Sequence, residues 1–161
     1  MAIEYTVMIQ KNIINEKFIL DKFDELGYQY EKKEMLENGT NIISFQKNLG
    51  FIVYLSKEKK YPRNIWDTIF QKDEYKFAQT ISFRIEKNFS DFELLYTTIF
   101  NTIFKIIDEF SINLLLIGNG GNELLFFSKE AGLLLNNKIE MWNKPIFENL
   151  LKEKNYRYLV N

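Results

Sequence analysis

The sequence of 161 residues contains no cysteine and no histidine, and these two absences exclude several kinds of chemistry. Without cysteine the chain has no disulfide, no thiolate metal site and no thiol nucleophile. Without histidine it has no imidazole acid or base and no histidine-ligated metal. The chemistry that remains is that of carboxylates, lysine, tyrosine and arginine, or binding alone.

A strong charge of one sign and long apolar runs are also missing. The 21 basic residues nearly balance the 22 acidic ones, so the chain lacks the broad positive field that non-specific nucleic-acid binding uses. No stretch approaches the roughly 20 apolar residues of a membrane span, and the N-terminus does not resemble a signal peptide. We therefore expect a cytoplasmic protein with no membrane partner, and the composition disfavours nucleic acid as a partner.

Aromatic residues, in contrast, are abundant: the chain has 15 Phe, 9 Tyr and 2 Trp. Their large apolar surfaces must be buried in a core or against a partner. The hydrophobic content of 46% and the length are those of a folded chain with one core. We therefore expect a single domain over residues 1–161.

Periodic apolar residues predict the main elements. Alternation over residues 3–9 predicts a strand with one buried face, and apolar residues at helical spacing over 14–26 predict a helix. A wide apolar stripe over 92–110 predicts the longest helix and much of the core. Ser90 and Glu93 have the spacing of a capping box, which predicts Ser90 as the residue that caps this helix.

The remaining elements are short. Further strands are predicted at residues 28–36, 41–46, 51–56, 80–86, 113–117, 123–128, 133–135 and 156–160, and short helices at 62–70 and 145–151. Residues 3–56 and 80–135 share the order strand, helix, strands, which is either a duplicated β-α-β-β-β unit or an ordinary α+β meander. In both cases we expect an α+β fold, an antiparallel sheet with two main helices packed on one face.

No cluster of residues requires a catalytic or metal-binding explanation. The glycine-rich segment 118–121 is followed by a strand pattern and lacks a Lys-Ser/Thr pair, so a hairpin turn is favoured over a phosphate loop. The carboxylates are typical of solvated surfaces, and the chain has no calcium-loop spacing. The acidic clusters are Asp21/Asp24/Glu25, Glu31/Glu34/Glu37 and Asp73/Glu74.

Arg84 and Glu86 alternate with Ile81, Phe83 and Ile85, so they are predicted to point out of the sheet face that the helices leave open. Open sheet faces are natural docking surfaces, and arginine is enriched at binding hot spots. The alternative is a cross-strand ion pair, which would contribute roughly a few tenths of a kcal/mol to stability.

One segment is locally basic: Lys57-Glu58-Lys59-Lys60-Tyr61-Pro62-Arg63. Tyr61 and the nearby Trp66 could stack on nucleic-acid bases, which would make the chain an RNA- or nucleotide-binding module. Glu58 interrupts the cluster, and a solvated loop explains the same pattern.

Several segments, taken in order, resemble one family. They are Glu4-Tyr5 in the first strand, Ile81-Ser82-Phe83-Arg84-Ile85-Glu86-Lys87, the long helix, Leu114-Leu115-Leu116-Ile117, Asn119-Gly120-Gly121-Asn122-Glu123-Leu124-Leu125-Phe126-Phe127, and Gly132-Leu133-Leu134-Leu135-Asn136. This series is similar to bacterial immunity proteins of the swarming-inhibition (Sit) type, which belong to polymorphic toxin systems. The resemblance covers residues 3–10 and 80–137. It does not extend to 28–78, and the hairpin here carries an extra Gly121-Asn122.

The resemblance implies a small cytoplasmic protein that binds a cognate protein toxin and neutralises it. It also implies that the chain has no catalytic activity of its own, and we expect no metal and no cofactor. The aromatic and charged side chains predicted to anchor the partner are Arg84, Glu86, Tyr61, Trp66, Asp73 and Glu74.

Overall fold

The computed structural model describes residues 2–57 and 60–159, which form one large sheet, a separate two-stranded pair and three α-helices. The strands are β1 (Ile3–Ile9), β2 (Lys32–Met35), β3 (Asn41–Phe45), β4 (Phe51–Lys57), β5 (Ile65–Trp66), β6 (Tyr75–Lys76), β7 (Gln79–Ile85), β8 (Leu114–Ile117), β9 (Glu123–Ser128), β10 (Gly132–Asn136) and β11 (Tyr156–Leu159). The helices are α1 (Glu16–Glu25), α2 (Phe92–Phe110) and α3 (Pro145–Leu151).

The large sheet has nine strands in the order β11-β10-β9-β8-β1-β7-β4-β3-β2. Neighbouring strands are antiparallel, except that β10 and β11 are parallel. Buried residues of α1, α2 and α3 belong to one apolar cluster with one face of this sheet. The predicted α+β fold, with its two main helices on one face, is confirmed.

Both halves of the chain follow the order β-α-β-β-β, as β1-α1-β2-β3-β4 and β7-α2-β8-β9-β10. They meet at the centre of the sheet, where β1 pairs with β7. The first half joins this centre through its last strand, β4, whereas the second half joins it through β8, the strand that directly follows its helix. The halves therefore share an order along the chain but attach to the centre differently.

The helix ends follow from local side-chain chemistry. Asn15 caps α1, because its side chain accepts a hydrogen bond from the Phe18 N–H, and Gly27 takes φ +86° just after that helix. The prediction that Ser90 caps α2 is wrong by one residue: the Asp91 side chain accepts the Leu94 N–H at 3.0 Å. Aspartate caps as well as serine does, and its charge also complements the helix dipole.

The main core lies between the sheet and the helices and is rich in aromatic rings. Phe23 of α1 lies 4.6 Å from Phe45 of β3, measured between ring centroids, and Phe51 of β4 lies 5.6 Å from Phe83 of β7. All four rings are fully buried. Because they come from elements far apart in sequence, they join α1 to the central strands.

Residues 64–77, which we call the strap, cover part of the opposite sheet face. Within the strap Ile65 pairs with Lys76 and Trp66 with Tyr75, so the predicted helix over 62–70 is wrong. The strap side chains Phe70, Tyr75 and Phe77 form a second buried cluster with sheet residues. Those sheet residues are Met8, Leu115, Ile117, Phe126 and Leu134.

In the strap, side-chain oxygens accept backbone N–H groups that a helix would pair with its own carbonyl oxygens. The Ile69 N–H donates to the Glu123 carboxylate at 3.0 Å, and the Phe70 N–H donates to the Thr68 hydroxyl at 3.2 Å. A helix would need these donors for its own carbonyl groups. The apolar spacing that suggested a helix reflects side chains that pack down onto the sheet instead.

Tyr75→Phe is expected to lower the free energy of unfolding by about 1–2 kcal/mol. The buried Tyr75 hydroxyl lies 2.8 Å from the carbonyl oxygen of Met8 and 2.9 Å from that of Asn113, so the substitution removes a buried hydrogen bond that holds the strap to the sheet. Urea unfolding measures the loss, with Tyr61→Phe as the matched control because Tyr61 is 71% exposed. Equal stability of the two variants would contradict the assigned hydrogen bonds.

Candidate functional site

The strap leaves a part of its sheet face uncovered, which we call the open face. Alternate side chains of β1, β7, β4 and β3 point away from the helices, because Val7, Ile81, Val53 and Ile43 on the same strands lie in the main core. The open face consists of Glu4, Thr6, Ile42, Ser44, Ile52, Tyr54, Ser82 and Arg84.

Strand register places an arginine beside an apolar centre on this face. Arg84 is directly opposite Ile52 of β4 on one side and Glu4 of β1 on the other. Tyr54 is opposite Ile42 of β3, and it follows Ile52 by two residues on β4, so that the two side chains lie on the same face. Ile42, Ile52 and Tyr54 are half-buried and Arg84 is exposed, so the open face has apolar surface next to a free cation.

Arg84 forms no salt bridge with any described residue, although it has two carboxylates as neighbours in sequence or register. Glu4 accepts a hydrogen bond from the Thr6 hydroxyl at 3.4 Å. Glu86 accepts one from the Gln46 side-chain amide at 2.5 Å and one from the Asn88 N–H at 3.1 Å. The cross-strand ion pair considered for Arg84 is therefore not formed, and its guanidinium is available to a partner.

Glu86 itself is fixed at the edge of this site. The Asn88 N–H and then the Gln46 amide stabilise the ionised carboxylate and lower the pKa of Glu86 below its ordinary value. A pKa that is lower in the folded than in the unfolded chain stabilises the fold above the unfolded-state pKa. That contribution is lost as the pH falls through the folded-state pKa.

We expect Gln46→Leu to raise the pKa of Glu86 towards its ordinary value, because the substitution removes one of its two donors. Carboxyl-carbon NMR titration of the two proteins measures this change. Gln71→Leu is the control, since Gln71 donates to backbone carbonyls of the strap and does not touch Glu86. An unchanged titration in Gln46→Leu would show that Gln46 does not stabilise the carboxylate.

Trp66, a predicted anchor, lies in the strap and is only half-exposed. Its indole Nε1 donates to the Glu123 carboxylate at 3.0 Å. The same carboxylate accepts the Thr68 hydroxyl at 2.7 Å and the Ile69 N–H at 3.0 Å. Trp66 thus helps to fix the strap to β9. Glu123 is the strap anchor that sequence reasoning missed, and its only sequence signal is an acidic residue at the start of an apolar strand.

The other predicted anchors lie in different places, and all of them except the half-buried Glu86 are exposed. Tyr61 precedes the strap, and Asp73 and Glu74 lie in the loop between β5 and β6, where the Gln71 amide donates to both of their carbonyl oxygens. Arg84 and Glu86 lie at the open face. In the described part of the chain, no hydrogen bond or salt bridge joins Arg84 or Glu86 to the anchors near the strap.

Sequence reasoning missed two further apolar residues of the open face, Ile42 and Ile52. They lie on strands whose two faces are both largely apolar, such as β4, where Phe51, Val53 and Leu55 alternate with Ile52 and Tyr54. Period-2 alternation cannot show which apolar face is covered. Only the position of the strap shows that this one stays open.

The basic segment is exposed where it is described, and the glycine-rich segment forms a turn. Lys60, Tyr61 and Arg63 are exposed, whereas Glu58 and Lys59 lie outside the described residues. Residues 118–121 form a tight turn into β9, in which the Gly118 N–H donates to Asn122 O at 2.7 Å. The predicted turn is confirmed, since a strand and not a helix follows it.

Two further findings concern only residues 2–57 and 60–159. Within these ranges no group of three acidic side chains could hold a metal ion. No helix there is both long and apolar enough to cross a membrane. Compared with known proteins, the chain matches no family model, no curated protein and no solved structure.

Proposed function

We propose that this is a non-enzymatic, cytoplasmic immunity-type protein, which binds a cognate bacterial toxin through the open face and so neutralises it. The observation that carries the proposal is the exposed Arg84, which has no salt bridge within the described part of the chain and lies beside the half-buried Ile52 and Tyr54. Arginine and aromatic residues are enriched at the centres of protein interfaces, and polar residues such as Thr6 and Ser82 are typical of their rims.

The engagement of carboxylates in the fold supports binding over catalysis. Glu123 accepts three hydrogen bonds from the strap. Glu31 accepts the backbone N–H groups of Lys47 and Asn48 at 2.6 and 3.1 Å, and so holds the β3–β4 turn. A general acid or base must be free to exchange a proton with a substrate. These two carboxylates instead stabilise local structure.

The open face combines residues from the part of the chain that resembles the immunity family with residues from the part that does not. Arg84 lies in a segment that resembles the immunity family, whereas Ile42, Ile52 and Tyr54 lie in the part that the resemblance does not cover. In the proposed complex, Arg84 supplies a strong charged contact, and the apolar residues of β3 and β4 select the particular toxin.

A binding measurement with the product of the adjacent upstream gene tests this function. We expect calorimetry with the purified proteins to give a dissociation constant in the micromolar range or tighter. No complex at micromolar concentration, together with no protection of cells that express that product, would overturn the proposal.

One observation favours a second candidate, an RNA- or nucleotide-binding module. Tyr61 is 71% exposed and lies next to the exposed Lys60 and close to the exposed Arg63, an arrangement suited to base stacking with phosphate contacts. Binding of the protein to single-stranded RNA would support this candidate if the binding weakens as the salt concentration rises. The double variant with Lys60→Ala and Arg63→Ala should then lose the binding. No binding at low salt would exclude this candidate.

A further inference from the structure

A second concave surface lies on the helix side of the sheet, between β1, α2 and α3. This pocket has a volume of about 440 Å³, and its walls include Tyr5, Phe92, Tyr96 and Phe147. Tyr5 packs against the main core, so the pocket is on the opposite side of the sheet from the open face. The volume is in the range of small-molecule sites, which begins at roughly 300 Å³.

Aromatic rings surround the pocket at several angles. The Tyr96 ring is 5.9 Å from Tyr5 and 5.9 Å from Phe147 in edge-to-face geometry, and 6.5 Å from Phe92 in a nearly parallel arrangement. Phe92 is 47% exposed although it is a large apolar residue. The pocket is thus lined by aromatic rings held at several angles, and another aromatic ring can pack favourably against such rings.

Two opposite charges also line the pocket. Glu93 and Lys144 are both exposed, and neither forms a salt bridge with another described residue. They are not paired with each other either. A ligand with one positive and one negative group could therefore satisfy both charges while its apolar part covers Phe92.

We infer that this pocket binds a zwitterionic aromatic molecule of the size of a free aromatic amino acid. The ring of the ligand packs against Phe92 and Tyr96, its ammonium group faces Glu93 and its carboxylate faces Lys144. This site does not depend on toxin binding, since it shares no residue with the open face.

The test compares three ligands with the same ring: L-phenylalanine, 3-phenylpropionate, which lacks the ammonium group, and 2-phenylethylamine, which lacks the carboxylate. Each is titrated into the intact protein while methyl NMR follows Ile146, which lines the pocket, and Ile69, which lies in the strap. We expect L-phenylalanine to shift Ile146 but not Ile69. Its binding should be at least about threefold tighter than that of either analogue, as for an exposed ion pair.

Substitutions of Glu93 and Lys144 test which charged side chain contacts which charged group of the ligand. Glu93→Gln should abolish the preference for L-phenylalanine over 3-phenylpropionate, and Lys144→Gln should abolish its preference over 2-phenylethylamine. Lys129→Gln, an exposed charge in the β9–β10 turn, should change neither preference. The inference is overturned if L-phenylalanine at tens of millimolar leaves Ile146 unshifted. It is also overturned if the three ligands bind equally, because the pocket would then recognise only apolar surface.

Discussion

Phe100→Ala is expected to lower the free energy of unfolding by about 3–5 kcal/mol, the largest effect of any single substitution considered. The Phe100 ring is fully buried on α2. It lies 5.0 Å from Phe147 of α3, 5.9 Å from Trp142 and 5.9 Å from Tyr5 of β1. Alanine would leave a cavity where these elements meet, and the surrounding rings can fill it only in part.

Guanidinium chloride unfolding of the two proteins measures this loss. Phe92→Ala is the matched control, because it makes the same truncation on the same helix at a position that is 47% exposed. We expect the control to lose less than about 1 kcal/mol, since its ring is only partly removed from water. Similar losses in the two variants would contradict the assignment of Phe100 to the centre of the core.

In the complex that we propose, Arg84→Glu is expected to weaken toxin binding by about 100-fold or more, as substitutions at interface hot spots do. The substitution replaces the unpaired cation of the open face with an anion next to Glu4, which is directly opposite on β1. A toxin carboxylate that bonds to the guanidinium would then face two negative charges. Stability should change little, because Arg84 is exposed and forms no salt bridge in the described structure.

Calorimetry with the same toxin measures the change in affinity. Arg63→Glu is the control, since it makes the same charge reversal at an exposed position outside the open face. We expect its affinity to fall by less than about threefold, as for a charge outside an interface. If both variants bound as tightly as the unmodified protein, the toxin would not use the open face.

Elements with strong periodicity were predictable from the sequence. The alternation of β1 and the apolar stripe of α2 are regular over the length of each element, so local spacing determines the type of element. The helix cap was misplaced by one residue, because Ser90 and Asp91 are adjacent and both are good caps. Only the backbone geometry distinguishes them.

The strap was not predictable in the same way. Its shape depends on Glu123, which is far away in the sequence and accepts the Ile69 N–H that a local helix would have used, together with two side-chain donors of the strap. The apolar pattern of Ile65, Trp66, Ile69 and Phe70 is compatible with a helix, and it is equally compatible with an irregular segment that packs on a sheet. A long-range polar contact decides between them, and one sequence does not reveal that contact.

The candidate site was predictable only in part. The alternation of β7 was sufficient to place Arg84 on the uncovered side, and the structure has it exposed there. Trp66 was also predicted to anchor a partner, but its indole donates a hydrogen bond to Glu123. The apolar centre at Ile52 and Tyr54 depends on where the strap ends, which is a tertiary feature and not a local one.

Protection of living cells shows directly whether the open face neutralises the proposed toxin. The product of the adjacent upstream gene is expressed in a host with the intact protein, with Arg84→Glu or with Arg63→Glu, and growth is followed at matched protein levels. We predict that the intact protein and Arg63→Glu restore growth, whereas Arg84→Glu does not. Growth arrest in the presence of the intact protein, or full protection by Arg84→Glu, would contradict this prediction.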